Sequence, residues 1–186
     1  MKLKYKISTR RLTTAAMLIA MSALIGIFCK TYLNFFDGVL RVSFENLPTI
    51  LAGIMFGPII GGICGLATDI ISYLISPQSY FFLPVVSLGS LLVGVISGIM
   101  AKYVVKRHGT LQILASGGAA HLVGSLIVKS IGLFPIYDRL ILWRILLYVA
   151  AIIPIELCIL TLLFKNRSFL KLVGETEKND DLRRGA

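Results

Sequence analysis

Acidic side chains are scarce in this sequence: nine Asp and Glu stand against nineteen Lys and Arg, a formal net charge of +10 over 186 residues. An excess of that size suits nucleic acid, but the basic residues sit at the ends of apolar runs and are not interleaved with aromatics on a hydrophilic face, so no nucleic acid partner is expected. Cysteine is sparse too. Cys29, Cys64 and Cys158 are odd in number, share no short spacing and each falls in an apolar segment, which reads as packing and not as a disulfide or metal site. The two histidines, His108 and His121, have no carboxylate at ligand spacing, and there is no Walker loop, no His-Glu-x-x-His and no nucleophile elbow. No catalysis, metal or cofactor is expected, and a partner has to supply the energy for any pumping.

What the sequence does have is apolar length. At 56% hydrophobic residues and a mean hydropathy of +0.86, most of the chain belongs in lipid. The basic N-terminus before an apolar run resembles a signal peptide, but no small-x-small site precedes a hydrophilic domain, so it is read as a retained first span. As one straight helix, the run from Phe44 to Ser76 would be roughly 50 Å long, well beyond a hydrocarbon core of ~30 Å. Gly57-Pro58 and Gly61-Gly62 supply a break, dividing it in two.

The expected fold is an all-α membrane protein with six transmembrane helices in a single domain over residues 1–171, at about 12–29, 44–58, 61–76, 82–101, 111–131 and 139–164. Residues 172–186 are a polar tail expected to be disordered. With six spans, the basic N-terminus, the Lys102/Lys106/Arg107 loop and the Lys165/Arg167/Lys171 tail share one side, so the positive-inside rule puts both termini in the cytoplasm. Residues 30–43, 77–82 and 132–139 then form outward loops.

Several residues stand out against this plan. Gly53, Gly57, Gly61 and Gly65 recur every four residues, and Gly94 and Gly98 repeat the spacing, which lets helix backbones approach closely. Ala16 and Ala20, with Ala23 near the same face, form a small-residue stripe on the first span that suits either packing within the bundle or docking of another helix. Asp69, His121, Lys129, Arg144 and Glu156 are ionisable groups well inside apolar segments, where each needs a partner. Asp69, Lys129 and Arg144 lie toward the outer half, as ligand contacts or internal salt bridges, and Glu156 toward the inner half, as a structural pair beside Pro154. Outside, Gln78, Tyr80, Phe81 and Phe82 can stack on a flat heterocycle while Lys30, Arg41, Lys129, Arg139 and Arg144 hold an anionic group; Tyr137 and Trp143 also suit an interfacial belt.

At these residues the sequence resembles the substrate-capture subunits, or S components, of energy-coupling factor (ECF) vitamin transporters, and within them the folate-type branch. The resemblance rests on R-x-S-F-x-x-L-P at Arg41 to Pro48, L-A-G-x-x-F-G-P-x-x-G at Leu51 to Gly61 and G-x-x-x-D at Gly65 to Asp69. It continues through Pro77, Tyr80-Phe81, Pro84 and S-L-x-S-x-L-x-G at Ser87 to Gly94. One departure is visible: after Tyr80-Phe81 the chain reads Phe82-Leu83-Pro84, with a residue inserted and the branch's glycine missing.

The resemblance implies an S-component bundle in a bacterial plasma membrane. It would capture a vitamin outside and dock on a transmembrane coupling subunit that carries two ATPases. Folate is the first choice and pantothenate or another vitamin the alternative. Glu45, inside the first motif, joins Arg41, Asp69, Gln78, Tyr80, Phe81, Phe82, Lys129, Arg139, Trp143 and Arg144 as expected substrate contacts, and Ala16 and Ala20 match the family's docking motif. A contrasting class is an autonomous secondary transporter with Asp69 and His121 as an ion relay.

Overall fold

The computed structural model describes residues 9–35, 40–41, 43–75, 83–105, 110–137 and 141–165. Helix α1 (Thr9–Tyr32) leads through a short antiparallel ribbon, β1 (Asn34–Phe35) and β2 (Leu40–Arg41), to α2 (Asn46–Phe56) and α3 (Pro58–Ile75). Helix α4 (Pro84–Ile99) runs on through a π-helical turn, Met100–Val104. Helices α5 (Thr110–Ala120) and α6 (Lys129–Tyr137) are joined by the π-helical stretch His121–Val128, and α7 (Ile141–Leu147) and α8 (Ile153–Lys165) by Tyr148–Ile152. The result is an all-helical bundle of six rods.

Five rods are long and apolar enough to cross a membrane; α2, with 11 residues, is not. Large apolar side chains such as Leu12, Leu24, Ile59, Leu74, Leu142 and Leu162 are exposed around the bundle, an arrangement stable in lipid and unfavourable in water. Inside, Ile50, Leu51, Ala52, Cys64, Val93 and Ile113 form the apolar core.

The break between α2 and α3 is narrower than the glycines suggest. It falls at Gly57 alone, whose φ of 89° lies in the left-handed region where a side chain is strained. Pro58 then opens α3, where a missing N–H costs nothing. Gly61 and Gly62 lie inside α3 and serve contact instead. A Cβ on Gly61 would fall 2.6 Å from both the Gly53 Cα and the Gly94 carbonyl oxygen, and one on Gly98 would fall 2.6 Å from the Gly57 carbonyl carbon. A Cβ on Gly65 would collide with the Ser90 carbonyl. Every fourth residue of α3 is thus a rung against α4, and the next rung, Asp69, accepts a hydrogen bond from Ser87 Oγ at 2.5 Å.

Helix α1 also runs further than expected. It reaches Tyr32, so Lys30 is buried within a helix and not set in a loop. On its inner face Ser22 donates to the Glu45 carbonyl oxygen and lies 3.4 Å from Thr49 Oγ1, tying α1 to the start of α2.

Candidate functional site

The head of α2 positions the site. Gly57 lies against Lys102, where a Cβ would meet the lysine Cδ at 4.0 Å, at the end of the bundle that the positive-inside rule assigns to the cytoplasm. From there a helix of 11 residues reaches only about 16 Å inward, roughly half of a ~30 Å core. Glu45 and Asn46 are therefore carried to mid-membrane depth, where polar groups must find partners within the protein.

They find them on two other rods. Lys129 Nζ lies 3.5 Å from Glu45 Oε1 and donates to Asn46 Oδ1 at 3.3 Å. Asn46 Nδ2 donates to the Tyr148 hydroxyl at 2.7 Å and to Ser125 Oγ at 3.3 Å. The Tyr148 oxygen lies 3.3 Å from His121 Nδ1, and on the far side of that ring Nε2 is 2.8 Å from Glu156 Oε2. Seven side chains thus form one buried polar chain that joins α2, α5–α6 and α7–α8, ending in a histidine and a glutamate that are 0% exposed. This last contact is close without the alignment of a hydrogen bond, and both Glu156 oxygens lack a hydrogen-bonded partner among the described residues.

The π-helical segments straighten the line on which these residues lie. In an α-helix, residues four apart share a face but drift around the axis by about 40° per step, so His121, Ser125 and Lys129 would lie on a slowly turning stripe. Wider i→i+5 turns counter that drift. The Lys129 N–H bonds to the Gly124 carbonyl, and the Ile153 N–H to the Tyr148 carbonyl, in this pattern. On the last rod the same effect keeps Tyr148, Ile152, Glu156 and Leu160 together on the buried face.

Of the substrate contacts expected from sequence, Glu45 and Lys129 are brought together, as an internal pair. Asp69 is half-buried and held by Ser87 on the α3–α4 seam. Arg144 is half-buried on α7, whereas Trp143 is 66% exposed on its outer surface, where an interfacial anchor sits. Gln78, Tyr80, Phe81, Phe82 and Arg139 lie outside the described residues. Arg41 is described only as backbone, paired with Asn34. Ala16 and Ala20 are exposed, whereas Ala23, expected near their face, is buried with Ala15 and Leu18.

The proposed Asp69–His121 relay has no counterpart in these contacts, since each residue has a different partner. Glu156, expected to pair structurally, does so with His121, whose carboxylate comes from another rod and so escapes any search by spacing. Asn46, Ser125 and Tyr148 were missed. Tyr148 is hidden within an apolar run, and the only sequence signal was the four-residue spacing of His121, Ser125 and Lys129. Among the described residues no three His, Cys, Asp or Glu side chains are placed to hold a metal.

Comparison with known proteins agrees with this architecture. The family described as ECF transporter, substrate-specific component matches residues 10–166. Folate transporter FolT of Clostridium novyi (strain NT) is 26% identical over 102 residues, 55% of this chain and 58% of that protein, so the match spans little more than half of the curated relative's length. A crystal structure of FolT bound with folic acid is similar with a TM-score of 0.66 at 19% identity, covering 87% of this chain and 96% of that one. At that identity the likeness is one of fold.

Proposed function

The chain belongs to the ECF transporter substrate-specific components, multi-pass membrane proteins without catalysis of their own, and on that premise we propose that it is the subunit that captures folate for uptake. The observation that carries the choice of vitamin is the likeness to FolT, in sequence over 102 residues and in fold. The chemistry of the site supports it. The mid-membrane head of α2 holds the Lys129 ammonium against the Glu45 carboxylate, an internal pair. It suits the neutral, hydrogen-bonding end of a flat heterocycle, while the anionic end faces Arg41, Arg139 and Arg144 in the outer half.

Gln78 and the rings of Tyr80, Phe81 and Phe82 close over the heterocycle in this reading. The exposed Ala16 and Ala20 offer a flat patch for a transmembrane coupling subunit, which carries the two ATPases that power uptake. Transport then requires that module.

Purified protein should bind folate in a nearly one-to-one ratio, read by titration calorimetry and by the fluorescence of its single tryptophan, Trp143. Pantothenate and other vitamins should compete poorly. Thermal stabilisation by none of these vitamins would overturn the reading, and uptake by the isolated subunit on an ion gradient without ATP would replace it with a secondary transporter.

A further inference from the structure

We propose that Tyr148, His121 and Glu156 are positioning residues for the ligand: through one chain of buried polar contacts they fix the Asn46 amide, and with it the Lys129–Glu45 pair, at the head of α2. The inference rests on the reading of the chain as a folate-binding subunit.

The Asn46 amide is where the chain ends and where its effect is felt. Its oxygen accepts from the Lys129 ammonium, and its nitrogen faces two hydroxyls, Tyr148 and Ser125. Only one of the two amide orientations satisfies these neighbours, because a flip would turn an NH2 group against an ammonium. Lys129 sets this orientation, and Tyr148, which accepts from the amide nitrogen, is itself held by His121 Nδ1. Glu156 in turn fixes the imidazole from its other side. A lysine held by Asn46 and Glu45 is kept from the anionic end of a ligand, so the chain decides which end of the ligand the head of α2 receives.

Stability alone does not account for the arrangement. A fully buried ion pair is commonly matched or bettered in stability by well-packed apolar residues of similar volume, and leucines are abundant on both rods. The chain is also carried by two π-helical stretches, features found mostly as single-turn insertions and frequently at functional sites.

The test uses the full chain in detergent with folate as probe. In Tyr148→Phe and in the double variant His121→Leu/Glu156→Leu, the Kd for folate should rise about tenfold or more. The ligand-free Tm of the double variant should equal or exceed that of the wild type. Wild-type affinity in either variant overturns the proposal; if the double variant does not fold, Tyr148→Phe decides. With 15N-labelled histidine, assigned through His108→Gln, folate should shift the His121 imidazole resonances in the wild type and not in Tyr148→Phe.

A wild type that binds no folate defeats the vitamin assignment instead. In that case Asn46→Ala, which requires no ligand, should still shift the His121 resonances through Tyr148, and unmoved resonances would refute the chain.

Discussion

Where α3 meets α4 the helices touch backbone to backbone, Gly61 against Gly94 and Gly65 against Ser90, whereas α2 meets the last two rods through long polar side chains that reach a shared line from Glu45 to Glu156. The seam gains its stability from close dispersion contacts, which in lipid must replace the hydrophobic effect as the force between helices. The polar chain spends much of its attraction on desolvation. A rigid wall can be built from the first alone. A recess that tells one ligand from another has to contain something like the second, because apolar contacts distinguish shapes weakly and buried hydrogen bonds distinguish polar groups strongly.

The contrast can be broken at either end. The largest loss should come from Glu156→Ala, which leaves His121 Nε2 buried without its carboxylate: about 3 kcal/mol or more, read as a fall in thermal unfolding temperature. A fall no greater than that of a surface substitution would mean the pair is not buried as described. Next comes Gly94→Ala, whose methyl group meets the Gly61 carbonyl, a backbone atom that no rotamer change can move. It should cost about 1–3 kcal/mol and weaken ligand binding only in proportion to stability. Selective loss of binding there would erase the distinction between wall and recess.

Ser87→Ala is a smaller test on the same seam. It strips Asp69 of a hydrogen bond at 2.5 Å and should cost about 1 kcal/mol. An aspartate that instead serves the ligand would reveal itself by a change in folate affinity larger than that in stability. Least effect on the fold is expected from Ala16→Leu, on an exposed face, within about 0.5 kcal/mol. It should leave folate affinity unchanged and abolish uptake in cells that carry the coupling module. Normal uptake would remove α1 from the docking surface.

Much of the seam was legible in the sequence. Glycine every fourth residue from Gly53 to Gly65, repeated at Gly94 and Gly98, implies close helix contact because one helical face presents no side chains, and the structure puts those residues against one another. Arg41 and the segment from Gln78 to Phe82 stand out as readily by composition. The polar chain was legible only in pieces. His121, Lys129 and Glu156 stood out as costly in lipid, but their partners lie on other rods, up to 102 residues away in the case of Asn46 and Tyr148.

Hydropathy and motifs alone are enough to say that this chain lives in a membrane, that it crosses repeatedly with basic clusters at its N-terminus, its Lys102–Arg107 loop and its tail, and that it resembles the vitamin-capturing subunits. These follow from local properties: hydropathy, charge placement and short motifs, each read within a few turns of helix. That Lys129 meets Glu45, that Tyr148 joins Asn46 to His121, and that α2 spans half the membrane to hold them there emerges from the packed bundle alone. The physical reason is that a helix fixes which of its own residues share a face, while the π-helical turns and the close seam fix how far and at what angle the next helix stands. Hydrogen bonds a few ångströms long depend on both.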